Sequence, residues 1–194
     1  MAAFALIELV FVLGLAATLA SFAIPQSLAS LDDLRAAGAA RYLSARLQKT
    51  RMEAIVRSSA TALRVNRAGG SYGVAVYVDG NRNGVLSKDI ETGTDRALGP
   101  SERLMDQFPG VDFGAIPGLP PVDQSSTSPG TDPIRLGSSD MAVFTAMGTA
   151  TAGSFYIRGR RNSQYVVRIF GETGKTRVLK FNLRSGRWMA LQDR

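Results

Sequence analysis

From Phe4 to Ile24 the chain runs through 21 residues without a Lys, Arg or Asp. As a helix at 1.5 Å per residue this run is about 31 Å long, close to the hydrocarbon thickness of a bilayer. No basic residue precedes it, it exceeds the apolar core of a secretory signal peptide, and it ends at Ile24-Pro25 without a clean small-residue cleavage site. The pattern predicts a spanning helix. One charge interrupts it, Glu8, and a carboxylate at that depth costs about 3 kcal/mol on insertion scales.

Beyond Pro25 the pattern turns amphipathic. Leu28, Leu31, Leu34, Gly38, Leu43, Leu47, Ala54 and Ile55 recur at spacings that share one helix face, with Arg35, Arg41, Arg46, Lys49, Arg51 and Arg57 between them. Together they predict one helix over roughly residues 5–60, kinked or softened at Pro25 and Gly38. A helix of that length needs a bundle, a coil or a domain to pack against.

After residue 62 the period changes to that of strands. Ala62–Val65 and Tyr72–Val78 flank Ala68-Gly69-Gly70-Ser71, a hairpin signal. Further candidate strands are 103–107, 111–115, 141–145, 154–158, 164–170, 176–182 and 187–191. The Pro/Gly/Ser-rich stretch 117–133 predicts an exposed, mobile loop. The fold class expected is α+β, a long N-terminal helix on antiparallel sheets.

Composition narrows the chemistry. The 194 residues contain neither cysteine nor histidine, which removes disulfides, thiol nucleophiles, His-based triads and ordinary zinc sites. No Asp/Glu or Ser/Lys spacing points to an enzyme, and a non-enzymatic protein is expected. The net charge of +7 is unevenly spread. Residues 35–67 hold eight basic residues against Glu53, and 151–194 hold ten against Glu172 and Asp193, whereas 68–150 is acidic on balance.

FALIELVFVLGLAATLASFAIP resembles the N-terminal signature of type IV pilins and type II secretion pseudopilins. The resemblance implies a short leader, residues 1–3, cut by a prepilin peptidase between Ala3 and Phe4, with methylation of the new terminus. Ala3 stands where that family has Gly. Residues 4–24 then form the transmembrane half of the helix, 25–60 its amphipathic half with Pro25 as the bending proline, and 61–194 a β-rich periplasmic head. It also implies a role for Glu8, pairing with the free amino group at Phe4 of a neighbouring subunit during assembly. MAVFTAMGTATAGSFYI and YVVRIFGETGKTRVLKF resemble the C-terminal half of the GspH/FimT minor pseudopilins, with Phe144, Gly148, Gly153, Gly171 and Gly174 at the turn and strand positions. The implied protein is a single-pass subunit of the bacterial inner membrane. It would join a type II secretion pseudopilus or a type IV pilus, with other pilin or pseudopilin subunits as partners.

Two further patterns carry candidate chemistry. Asp79, Asn81, Asn83 and Gly84 match the opening of an EF-hand-type calcium loop, but Ile90 falls where a bidentate Glu belongs and Arg82 adds a cation. The same residues describe a tight turn with φ > 0. The C-terminal basic block interleaves Arg and Lys with aromatics, a composition that neutralises nucleic-acid phosphates. FimT-type relatives are linked to DNA uptake through a GRxR-like motif, whose nearest counterpart is Gly174-Lys175-Thr176-Arg177. Lys175, Arg177, Arg160, Arg161 and Arg187 are therefore candidate DNA contacts, and solvated strand faces are the alternative. The Arg35–Arg57 stripe is expected to meet acidic faces of neighbouring subunits or anionic headgroups.

Overall fold

A computed structural model describes residues 2–124, 126–137 and 139–191, with side chains left undescribed at 2–5 and 68. Helix α1 (Ala2–Arg57) is continuous and passes through Pro25. An 18-residue apolar window in it has no part buried, as befits a segment long enough to cross a membrane. From Asp32 onward the same helix is built into the head. After buried Asp32 its buried positions are Ala36, Ala40, Leu43, Leu47, Thr50 and Ala54, with steps of three and four alternating from Ala36, and Ala37 and Ala39 beside them.

This face matches the expected one at Leu43, Leu47 and Ala54 and departs from it elsewhere. Leu28, Leu31, Leu34 and Ile55 are exposed. Small residues win the contact because the helix lies close against the head: a Cβ on Gly38 would stand 2.8 Å from the Phe108 ring. Leucine at the alanine positions would overpack that gap.

Strands β1 (Thr61–Ala68) and β2 (Ser71–Val78) form the expected hairpin, closed by Gly69 and Gly70 at φ 58° and 83°, the pair of left-handed residues that a tight two-residue turn requires. A short helix, α2 (Ser87–Thr92), follows, then β3 (Arg96–Ala97), β4 (Glu102–Arg103), α3 (Leu104–Gln107), β5 (Asp112–Phe113) and β6 (Ile134–Arg135). The chain then lays down β7 (Met141–Phe144), β8 (Gly153–Arg158), β9 (Gln164–Ile169), β10 (Thr176–Asn182) and β11 (Arg187–Ala190). Among the described residues these make two antiparallel sheets, one ordered β3-β2-β1-β7 with β4 also on β2, the other β11-β10-β9-β8-β5 with β6 also on β8.

The strand expected at 103–107 is mostly helical. Leu104 is its buried anchor, and the Phe108 N–H donates to the Leu104 carbonyl at 2.8 Å, so one turn brings both side chains inward while Met105 stays in solvent. At 111–115 only Asp112–Phe113 pairs as strand.

The main core lies between α1 and the sheets, where Leu43 and Leu47 meet Leu63, Phe144, Phe155, Ile157, Tyr165 and Ile169. The second sheet is buried on its other face as well, by Leu119 against Tyr156, Val166 and Trp188. The 117–133 stretch is a loop and largely exposed, as expected, but it is anchored to the head. Leu119, Pro129 and Pro133 are buried in it, the Trp188 indole donates to the Pro120 carbonyl at 3.1 Å, and Arg168 pairs with Asp123 at 2.9 Å. Its few apolar residues suffice because they cover one indole and one tyrosine.

Candidate functional site

Four regions bear on function: the apolar half of α1, each of the two ends of the head, and the turn after β2.

Glu8 lies on the exposed surface of α1 among Leu6, Ile7 and Leu9, all more than half exposed. It makes no ion pair among the described residues. The side chains of Ala3 and Phe4 lie outside those described. Pro25 sits within the helix, and the Arg161 guanidinium donates to its carbonyl at 3.4 Å.

That contact marks one end of the head. Asp32, buried, accepts the backbone N–H groups of Arg160 at 2.8 Å and Arg161 at 3.0 Å and the Ser163 hydroxyl at 2.9 Å, so helix α1 caps the β8–β9 turn. One residue on, Asp33 accepts the Tyr165 hydroxyl at 2.9 Å and pairs with Lys180 at 2.7 Å. Burial and the Asp33 carboxylate raise Tyr165 well above the ordinary tyrosine pKa. Arg187 faces Asn182 across the β10–β11 hairpin, at this same end.

Lys175 and Arg177 are elsewhere. Their β9–β10 turn meets α1 at Gln48, whose amide donates to the Gly174 carbonyl at 3.1 Å, and Ser44 shares a 2.7 Å hydrogen bond with Thr176. Nearby, Arg51 donates to the Gly148 carbonyl at 2.9 Å. From Asp32 to Gln48 the helix rises about 24 Å. The candidate DNA contacts therefore do not converge: Arg160, Arg161 and Arg187 are at the end nearer the apolar run, Lys175 and Arg177 at the far end. Arg177 is exposed, and it borders a cleft of about 490 Å³ with Arg41 of the helix stripe.

The Asp79 turn is closed on itself. One carboxylate oxygen accepts the N–H groups of Asn81 at 3.1 Å and Arg82 at 2.7 Å, and the other accepts that of Gly84 at 2.8 Å. Buried Asp95 caps Gly80 and Leu86 in the same way, and the amides of Asn81 and Asn83 both reach Asp89. Arg82 and Gly84 take positive φ, 65° and 91°. Among the described residues no group of three or more Asp and Glu is placed to share a metal ion. The geometry is that of an aspartate-capped turn, with the oxygens of Asp79 engaged by backbone.

Sequence patterning missed Asp32 and Asp33 as organising residues. Their signal was two adjacent carboxylates at the entry to a helix segment otherwise rich in arginine. It also missed the Tyr42–Glu102–Gln107 hydrogen-bond group, joined by Arg46 at 3.4 Å from Glu102, which ties β4 and α3 to the helix.

Comparison with protein-family models, with curated proteins and with solved structures finds no match.

Proposed function

We propose that the chain is a minor pilin or pseudopilin, a non-enzymatic subunit of a type II secretion pseudopilus or a type IV pilus. The observation that supports it best is the division of α1. Its first half is apolar, exposed and carries one carboxylate, Glu8, while its second half is the structural spine of the head. A helix that presents Leu6 through Ile24 to its surroundings is built to leave its own head uncovered and to pack in lipid or against like helices. In this reading the inner membrane holds the subunit before assembly, with the head in the periplasm. The prepilin peptidase cuts before Phe4, and Glu8 meets the new amino terminus of a neighbour, so the cost of its burial is met by an opposite charge.

The test is co-expression of the full chain with a prepilin peptidase and a pilin or pseudopilin assembly apparatus. Mass spectrometry should show loss of residues 1–3 and a methylated Phe4. Glu8→Ala should still be inserted and cut, yet drop out of cross-linked fibres. An uncut chain, or assembly indifferent to Glu8, would refute the proposal.

A second role, DNA capture, is favoured by one observation: exposed Arg177 and helix Arg41 share a cleft at the far end of the head. Titration of the full chain in detergent against duplex DNA at several salt concentrations tests it. Binding that falls steeply with salt and weakens in Lys175→Ala/Arg177→Ala supports that role. No binding at low salt rules it out.

A further inference from the structure

The end of the head nearest the apolar run carries a cleft that the assembly reading does not use. It lies between α1 at Ala29 and Asp33 and the β10–β11 turn, with a volume of about 470 Å³. Arg161 and Arg184 stand on its rim, both exposed. The carboxylate that lines it, Asp33, is already taken by Lys180 and Tyr165, so the cleft keeps a positive balance. Beside these charges Leu183 is 61% and Met189 49% exposed, two apolar side chains the head leaves in water.

Position decides what such a cleft meets. Arg161 donates to the carbonyl of Pro25, the first residue after the apolar run. With residues 4–24 in the hydrocarbon, that guanidinium stands in the polar headgroup layer, which is about 5–7 Å deep on each side of a bilayer. Ala29 is about 6 Å further along the helix. A guanidinium at that depth faces lipid phosphates, for which its fork is suited, and Arg184 with exposed Leu183 and Met189 lines the same cleft beside it. A DNA duplex would have to displace the bilayer to reach the same rim.

We propose that this cleft binds the headgroup of an anionic phospholipid and so docks the head, in a fixed orientation, on the membrane that α1 spans. The proposal rests on the spanning role of α1, and its test separates the two. The chain has no cysteine, so one introduced cysteine carries a nitroxide at a chosen place. The full chain is placed in nanodiscs of phosphatidylcholine alone or with phosphatidylglycerol, labelled at Ser185→Cys in the β10–β11 turn. A second preparation is labelled at Leu15→Cys in the apolar run.

The Leu15 label should be immersed in hydrocarbon in both bilayers. The Ser185 label should show an immobilised, headgroup-contacting population only when phosphatidylglycerol is present. Arg161→Gln/Arg184→Gln should lower the ratio of docked to free heads by roughly 25-fold, about fivefold for each guanidinium, and high salt should do the same. Arg161→Lys/Arg184→Lys should keep most of the docking. An immersed Leu15 label with a Ser185 label indifferent to phosphatidylglycerol, or to loss of both arginines, overturns the headgroup site alone. A Leu15 label outside the hydrocarbon overturns the spanning role and the headgroup site together.

Discussion

The carboxylate of Asp32 lies against the bare Cα of Gly159: a Cβ built there would stand 2.5 Å from Oδ2. That approach lets one helix side chain take the N–H groups of both Arg160 and Arg161. Asp32→Ala would leave these donors without their partner in a closely packed turn, so a loss of about 2–3 kcal/mol is expected. Gly159→Ala, which forces the carboxylate away, should cost about 1–3 kcal/mol. Chemical denaturation followed through Trp188, the single tryptophan, measures both.

Leucines on α1 should divide sharply by position. Leu43→Ala and Leu47→Ala empty fully buried sites and should each cost about 2–5 kcal/mol. Leu28→Ala, Leu31→Ala and Leu34→Ala should change the stability of the isolated subunit by less than about 0.5 kcal/mol. If the exposed leucines serve packing between subunits, the same three variants should nevertheless lower the yield of cross-linked fibres.

Alkaline pH should unfold the head through its tyrosines. Burial pushes Tyr156 up to about 12 and, with Asp33, holds Tyr165 well above the ordinary value of about 10. An unfolded chain loses these protons near pH 10 while the folded one keeps them. The stability they contribute is therefore whole below that pH and is lost as pH rises toward the folded values. The denaturation midpoint should fall above about pH 10, less steeply in Tyr165→Phe or Tyr156→Phe. At neutral pH the two variants should part company. Tyr165→Phe gives up the hydrogen bond to Asp33 and should cost about 1–3 kcal/mol. The Tyr156 hydroxyl meets the neutral Ser154 hydroxyl rather than a carboxylate, so Tyr156→Phe should cost less, about 1 kcal/mol or under.

Asp79→Ala should destabilise by about 2–3 kcal/mol, because three backbone N–H groups lose their acceptor. The loss should be the same with calcium or with a chelator present. A melting temperature of the parent chain that rises with calcium, and no longer does so in Asp79→Ala, would support the calcium-loop alternative.

What the sequence made legible, and what it hid, follows from local against non-local causes. The Gly69-Gly70 turn was readable because its conformation is fixed by its own residues. The α+β class was readable from the change of period after residue 62. The buried face of α1 was legible only at Leu43, Leu47 and Ala54, because periodicity groups residues on a face without saying which face the head selects, and alanines at 36, 37, 39 and 40 carry little hydropathy signal. The basic block was misgrouped for a related reason. Arg161 and Lys175 are near in sequence, but β9 between them is a six-residue strand, about 20 Å long, and carries the chain from one end of the head to the other. Asp32 gave no sign of its partners, which lie 128 residues or more away in sequence.

The unbroken run of α1 from the apolar half into the core has a mechanical consequence. Tension applied near Leu6 travels along one hydrogen-bonded rod and enters the head in shear, spread over the Asp32 clamp, Leu43 and Leu47 together. A load path of this kind should favour a head that stays folded when force reaches it through its helix.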